Sequence, residues 1–376
     1  MNSSISLQAE FDSIFKESGG YFDPTVLIKP ELLNNIINGS QLVIQNLQKG
    51  NAKLPDVFIA FIDNGVLNAA VTKNADKYFI GINIGTFFLL NDIFFRMLSN
   101  RHVLTDFGDC SKESEGNKIF NPQITDVDIL FSAKEPSEKI TPKDIKRFYL
   151  AQLLSSLAMK FLFLHEYAHI IYGHLDFYID STKACTLVEL LYSENNNDLK
   201  RIEPLISQTL EMDADCFAVN IAMQDILFIT RNTSLIKEQI SFFYNDLSTS
   251  LRIWLFAVYS LFRLFGASTP KETDLKRLSH PPPGIRQHII FATMHTIFQS
   301  KPETNILQDI PTICVNTLQE VEEAFQQISY SSLNSDAIRF AYKQSSFEHV
   351  SFLLQHWNTV RPLLEKYAYA NLAPLH

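Results

Sequence analysis

The sequence predicts an α+β protein, mainly helical, with a small antiparallel sheet placed ahead of one central helix. Three observations carry that expectation. Most of the 376 residues show apolar positions at helical spacing. One stretch, Val57 to Ile84, changes to short β-branched and aromatic runs separated by turn residues. Beyond it lies a strongly apolar segment, Phe161 to His174, into which His165, Glu166 and His169 are set.

Residues 1–55 read as a helical lead-in, punctuated by Pro24 and Pro30, with Leu32, Ile36, Ile37, Val43, Ile44 and Leu47 at roughly helical spacing. Val57 to Ile62 is a strand. Asp63-Asn64-Gly65 is a hairpin signal, because Asn and Gly tolerate the backbone of a tight turn, and it leads to a second strand, Val66 to Thr72. A third strand, Tyr78 to Ile84, follows the polar turn Lys73 to Lys77, and helical character returns from Thr86 to Phe95.

Residues 101–140 are polar and irregular, with Gly108, Gly116, Pro122 and Pro136. A segment of that length inside a domain is either a solvated insertion or a functional lid. Thr141-Pro142-Lys143-Asp144 then predicts a helix start, with Thr as cap and Pro in the first turn. That helix should run to about Tyr172, where Gly173 can end it.

A short apolar element, Leu187 to Asn195, comes next. Long helices are expected over Pro204 to Ile229 and Ser241 to Phe265, then a loop, a helix after His280-Pro281-Pro282-Pro283, and two amphipathic helices around Leu318 to Ile328 and Glu348 to Tyr367. The predicted core spans 56–300, and 301–376 forms a C-terminal helical segment.

His165-Glu166-x-x-His169 is the chemically informative pattern. Residues four apart on a helix lie about 40° from each other, so both imidazoles project toward one point, which suits zinc. Glu166, about 100° round from His165, is placed to act as general base on a zinc-bound water. The alternative is a pair of hydrogen-bonded core histidines. The apolar flanks argue against it, because burying ionisable groups without compensation is costly.

A catalytic zinc takes three protein ligands and leaves a position for water. A third ligand at the end of an H-E-x-x-H-x-x-G-x-x-H pattern is excluded, since positions 172 and 175 hold Tyr172 and Leu175. His174, nine residues after His165, falls about 180° round an uninterrupted helix and should point away. Glu211 and Asp215 share one face of the next long helix. One carboxylate, taken as Glu211, can ligate the ion while the other, Asp215, accepts the free N–H of a ligand histidine. Asp213 is expected on a solvated acidic face.

The formal net charge of -9, with no Lys/Arg run, argues against nucleic acid as partner. Four cysteines with no C-x-x-C spacing offer neither a thiolate zinc site nor a disulfide framework. Residues 1–20 lack the basic start and apolar run of a signal peptide, and Ile253 to Phe262 is too short to span a bilayer. The expectation is a cytoplasmic protein with no transmembrane segment; oligomeric state is not legible.

Taken together, His165-Glu166-x-x-His169 with Gly173-His174, the later Glu211-x-x-Ala214-Asp215, and Ser279-His280-Pro281-Pro282 with Arg286 resemble the gluzincin metallopeptidases of the CAAX prenyl protease and HtpX type. Val66-Leu67-Asn68-Ala69 also looks like that family's strand ahead of the metal helix. The resemblance covers roughly Val57 to Ile290 and implies a zincin-type metallopeptidase fold. It implies that His165, His169 and Glu211 bind one zinc ion per chain, that Glu166 activates water and that Asp215 supports a ligand histidine. It further implies that His280 and Arg286 face the cleft near the scissile carbonyl, and that the strand at Asn68 and Ala69 pairs with substrate backbone. The family's well-known members are commonly membrane-embedded or exported, a departure that bears on substrate and location. The motif is also similar to that of the soluble phage-exclusion protease Lit and of ImmA-type regulators.

The expected function is therefore zinc-dependent endopeptidase activity on a protein or peptide. Two other readings stand beside it: a selective regulatory or phage-defence protease with one cellular target, and a catalytically silent zinc-bound scaffold that binds a partner.

Overall fold

The computed structural model describes residues 6–27, 31–115, 140–188, 202–265, 272–329 and 340–375. Helices α1 (Leu7–Ile14) and α2 (Glu31–Gly50) lead into strands β1 (Val57–Ile62), β2 (Ala69–Asn74) and β3 (Lys77–Asn83), then α3 (Ile84–Leu98). The central helix α4 (Ile145–Ile171) is followed by α5 (His174–Thr182), β4 (Thr186–Val188) and α6 (Pro204–Arg231). The chain ends with α7 (Glu238–Ser241), α8 (Leu247–Phe265), α9 (Pro283–Gln299), α10 (Ile310–Ile328) and α11 (Gln344–Leu364).

The fold is mainly helical, with a four-stranded mixed sheet in the order β1-β3-β2-β4. The sheet therefore departs from the expected antiparallel one. Strand β3 pairs with β1 in parallel and with β2 antiparallel, and β4, which follows the central helix in sequence, pairs antiparallel with β2. Asp63-Asn64-Gly65 is not a hairpin turn. Asn64 accepts from the amide of Val66 and donates to the carbonyl of Ser18, and Gly65 lies against Gly85 so closely that a Cβ on Gly85 would meet the Gly65 carbonyl oxygen at 2.1 Å. The turn signal reflects that backbone approach, and it carries the chain past the end of β3 instead of back along β1. The hairpin is β2–β3, closed across Asn74 and Lys77 with Ala75 in the left-handed region.

Helix α4 is buried round nearly its whole circumference, as a helix apolar on all sides must be. The sheet, α3, α6 and α8 pack on it. By length and composition α4 could also cross a membrane, but 67% of its apolar window is buried inside the protein, and a core helix passes the same test.

The start of α4 differs from the expected Thr141-Pro142 cap. Asp144 is the cap, accepting from the amides of Lys146 and Arg147, while buried Glu113 accepts from the amides of Lys143 and Asp144. Arg147, fully buried, donates to the carbonyls of Leu98, Asn100, Val103, Leu104 and Phe107. This knot folds residues 98–115 onto α4. The insertion-or-lid reading otherwise falls on residues 116–139, outside the described residues, as does most of Leu187 to Asn195.

A smaller cluster joins α6, α9 and α11 through Leu210, Met212, Ile285, Ile289, Leu353 and Trp357. The C-terminal strap returns to the central helix, where Tyr369 and Ala370 both donate their amides to the carbonyl of Ile171.

Candidate metal centre

Two helices build the site. Helix α4 supplies His165, Glu166 and His169 in its last two turns, and α6 supplies Glu211, Asp213 and Asp215 opposite them. His165, His169 and Glu211 converge in a buried group whose ligand atoms all lie within 4.8 Å of one another, and such a group could hold a metal ion. His165 Nε2 is 3.0 Å from His169 Nε2 and 3.2 Å from Glu211 Oε2, and His169 Nε2 is 3.5 Å from Glu211 Oε1. Exposure is 0%, 1% and 3% for the three, and 1% for Glu166. Glu211 Oε2 lies near His165 without the geometry of a hydrogen bond, a buried carboxylate oxygen aimed at the shared point. A cation would compensate that burial, which otherwise costs several kcal/mol.

The outer partners fix the rings. His165 Nδ1 is 2.9 Å from Asp215 Oδ1, leaving Nε2 for the shared point. Arg286 grips Asp215 with both nitrogens of a fork, Nε to Oδ2 at 2.9 Å and Nη2 to Oδ1 at 2.7 Å, and lies over the ring of Phe262. Its guanidinium thus lies behind His165, with Nη2 also 3.4 Å from His165 Nδ1. His280 accepts or donates at Nδ1 to Ser279 Oγ and brings Nε2 to 3.8 Å from Glu211 Oε1; at 21% side-chain exposure it is the most open group of the site.

Asn68 and Ala69 play different parts at the head of β2. The Asn68 carbonyl accepts from the Asn83 amide and from Thr86 Oγ1, and its amide donates to Thr86 Oγ1, so its backbone faces inward. The Ala69 amide turns to the other edge, where the Asn68 side chain accepts from it. From Ala70 to Thr72 that edge is covered by β4. Ala69 lies beyond the end of that covered stretch.

Two residues read as bystanders belong to the site. Gly173, with φ +76, ends the run of α4, and a Cβ there would meet the backbone of Tyr367 and Ala368 at 2.6 and 2.8 Å. The break resets the helical phase, so His174 turns back toward α4 instead of away: its Nδ1 is 3.1 Å from His169 Nδ1 and its Nε2 3.1 Å from Asp213 Oδ2. Asp213 is buried, not on a solvated face. The signal was the glycine itself, past which angle counting has no meaning. Burial pushes the Cys216 thiol up to about 12; its Sγ lies 3.3 Å from Thr293 Oγ1 and is not among the three converging donors.

Comparison with protein-family models, curated proteins and solved structures finds no match.

Proposed function

We propose that the chain is a zinc-dependent endopeptidase with His165, His169 and Glu211 as ligands and Glu166 as general base. The observation that carries this reading is the spacing of the three donors. A tetrahedral ion with bonds of 2.0–2.1 Å holds its ligands roughly 3.3 Å apart; the two imidazole Nε2 atoms are 3.0 Å apart, and the Glu211 carboxylate comes to 3.2 Å from His165 through Oε2 and to 3.5 Å from His169 through Oε1, with one donor atom from each residue inside 4.8 Å. A set of two imidazoles and one carboxylate is that of a catalytic zinc site, with a position left over.

Zinc, when bound, supplies a Lewis acid for the scissile carbonyl and lowers the pKa of the attacking water. The protein's own groups do the rest. Asp215, clamped by Arg286, holds His165 with Nε2 forward. Glu166 takes the proton of the water and returns it to the leaving amine. His280, at the open side of Glu211, steadies the developing oxyanion. Ala69 aligns an extended peptide through its outward backbone.

The burial of the ligands and of Glu166 favours a narrower form of this reading, a protease with a limited set of protein targets. A site this enclosed does not admit arbitrary peptides without rearrangement. The test is cleavage of a cell lysate and of casein by purified protein, with 1,10-phenanthroline and then added zinc. Chelator-sensitive cleavage restored by zinc is expected, confined to few lysate proteins. Cleavage that survives full removal of metal would contradict the reading.

A further inference from the structure

We propose that His174 and Asp213 form a relay that positions His169, so that the second ligand imidazole is held by a carboxylate through an intervening imidazole. The inference rests on the zinc reading of the site and adds two residues to it. His169 Nδ1, His174 and Asp213 lie in one buried line, with 3.1 Å at each link. His174 is 0% and Asp213 6% exposed.

Proton direction along this line is set by its far end. If His169 Nδ1 carries the hydrogen, it donates to His174 Nδ1, and His174 Nε2 carries a hydrogen that it donates to the Asp213 carboxylate. Every contact then has one donor and one acceptor, and His169 Nε2 presents a lone pair to the point shared with His165 and Glu211. For a neutral His174 the reverse direction fails. With His174 Nδ1 as donor to His169, its Nε2 lone pair would face the Asp213 carboxylate at 3.1 Å, two acceptors in contact inside the protein. With the Asp213 carboxylate as the acceptor at its far end, the line selects the His169 tautomer that a metal requires.

The two ligands are supported by different means. His165 meets Asp215 directly, whereas Asp213 reaches His169 only through His174. Gly173 makes the link feasible: its left-handed turn, walled by Tyr367 and Ala368, places the first residue of α5 against the last turn of α4. A core histidine with satisfied nitrogens explains the same burial but assigns no role to the direction of the bonds, and the test separates the two.

The experiment measures zinc affinity by chelator competition, the d–d spectrum of the cobalt-substituted protein, and the thermal midpoint of the metal-free protein. These are compared for wild type, His165→Ala, His174→Ala, His174→Gln and Asp213→Asn. His174→Ala should bind zinc about 10–100-fold more weakly, the usual cost of losing an outer partner of a ligand, with altered cobalt bands. His174→Gln, whose carbonyl accepts from His169 and whose amide donates to Asp213, should recover most of the affinity. Asp213→Asn should fall between them, with a metal-free midpoint close to wild type. Zinc affinity and cobalt bands equal to wild type in both His174→Gln and Asp213→Asn, together with equal affinity in His174→Ala or its failure to fold, would overturn the relay while leaving the metal site intact. A wild-type protein that binds no zinc, or a His165→Ala variant that binds it fully, would overturn the underlying site instead.

Discussion

Glu166→Gln should keep the full zinc complement of the wild type and lose peptide cleavage by roughly 10²–10⁴-fold, the range a positioned general base contributes. The substitution is nearly isosteric and leaves His165, His169 and Glu211 untouched. Glu166 sits one residue after His165, 1% exposed, in a turn of α4 packed on all sides, so the amide is held where the carboxylate was. What it lacks is the ability to take a proton. Turnover and zinc content must be measured on the same preparation, because a variant that loses both has lost the site and not the base. A Glu166→Gln protein that cleaves the wild-type targets at the wild-type rate would remove Glu166 from the mechanism.

Arg147→Met should destabilise the protein by about 3–5 kcal/mol, the cost of breaking a buried charged network from one side. The guanidinium holds five carbonyls at 2.7–2.9 Å, and Glu113 lies 3.9 Å away. Methionine fills much of the volume but offers no donor, so each carbonyl and the buried Glu113 carboxylate loses a partner. Against a total stability of about 5–15 kcal/mol, the loss is a large fraction of what holds the fold. Lysine keeps the charge but offers three donors without the planar fork, so Arg147→Lys should fall between the two. Urea midpoints of the three proteins measure this, and limited proteolysis should locate the loosened chain in 98–115. An Arg147→Met protein within about 1 kcal/mol of wild type would show that the knot is incidental to stability.

The helices that carry the site were legible because their signals are local. Glu211 and Asp215, four apart on an apolar helix, read as a pair aimed inward, and His165 and His169 read as two groups aimed at one point. The structure brings Glu211 to both histidines and Asp215 to His165. The sheet was less legible because pairing is not local. Asp63-Asn64-Gly65 carries the composition of a hairpin, yet the neighbour of β1 is β3, set by a close backbone approach between Gly65 and Gly85 that no periodicity encodes. The cap of α4 failed for a related reason. Thr141-Pro142 has the favoured residues, but Glu113, thirty residues earlier in the chain, binds the amides of Lys143 and Asp144 and shifts the start to Asp144. Arg286 was legible as a site residue but not as to its partner, since its fork meets Asp215 only once α9 is packed on α6.

His174 marks the boundary of what spacing can tell. Counted along an unbroken helix it points away from His169, and one left-handed residue at Gly173 brings it back. The same glycine is what made the end of α4 readable.

The central claim is that His165, His169 and Glu211 hold one zinc ion. Elemental analysis of purified wild type, His165→Ala and Glu211→Ala tests it most directly. One zinc per chain in the wild type, lost or much weakened in both variants, is the result expected from the three converging donors. Full zinc retained by Glu211→Ala would mean that the third ligand lies elsewhere, and a wild-type protein without affinity for zinc would contradict the account at its root.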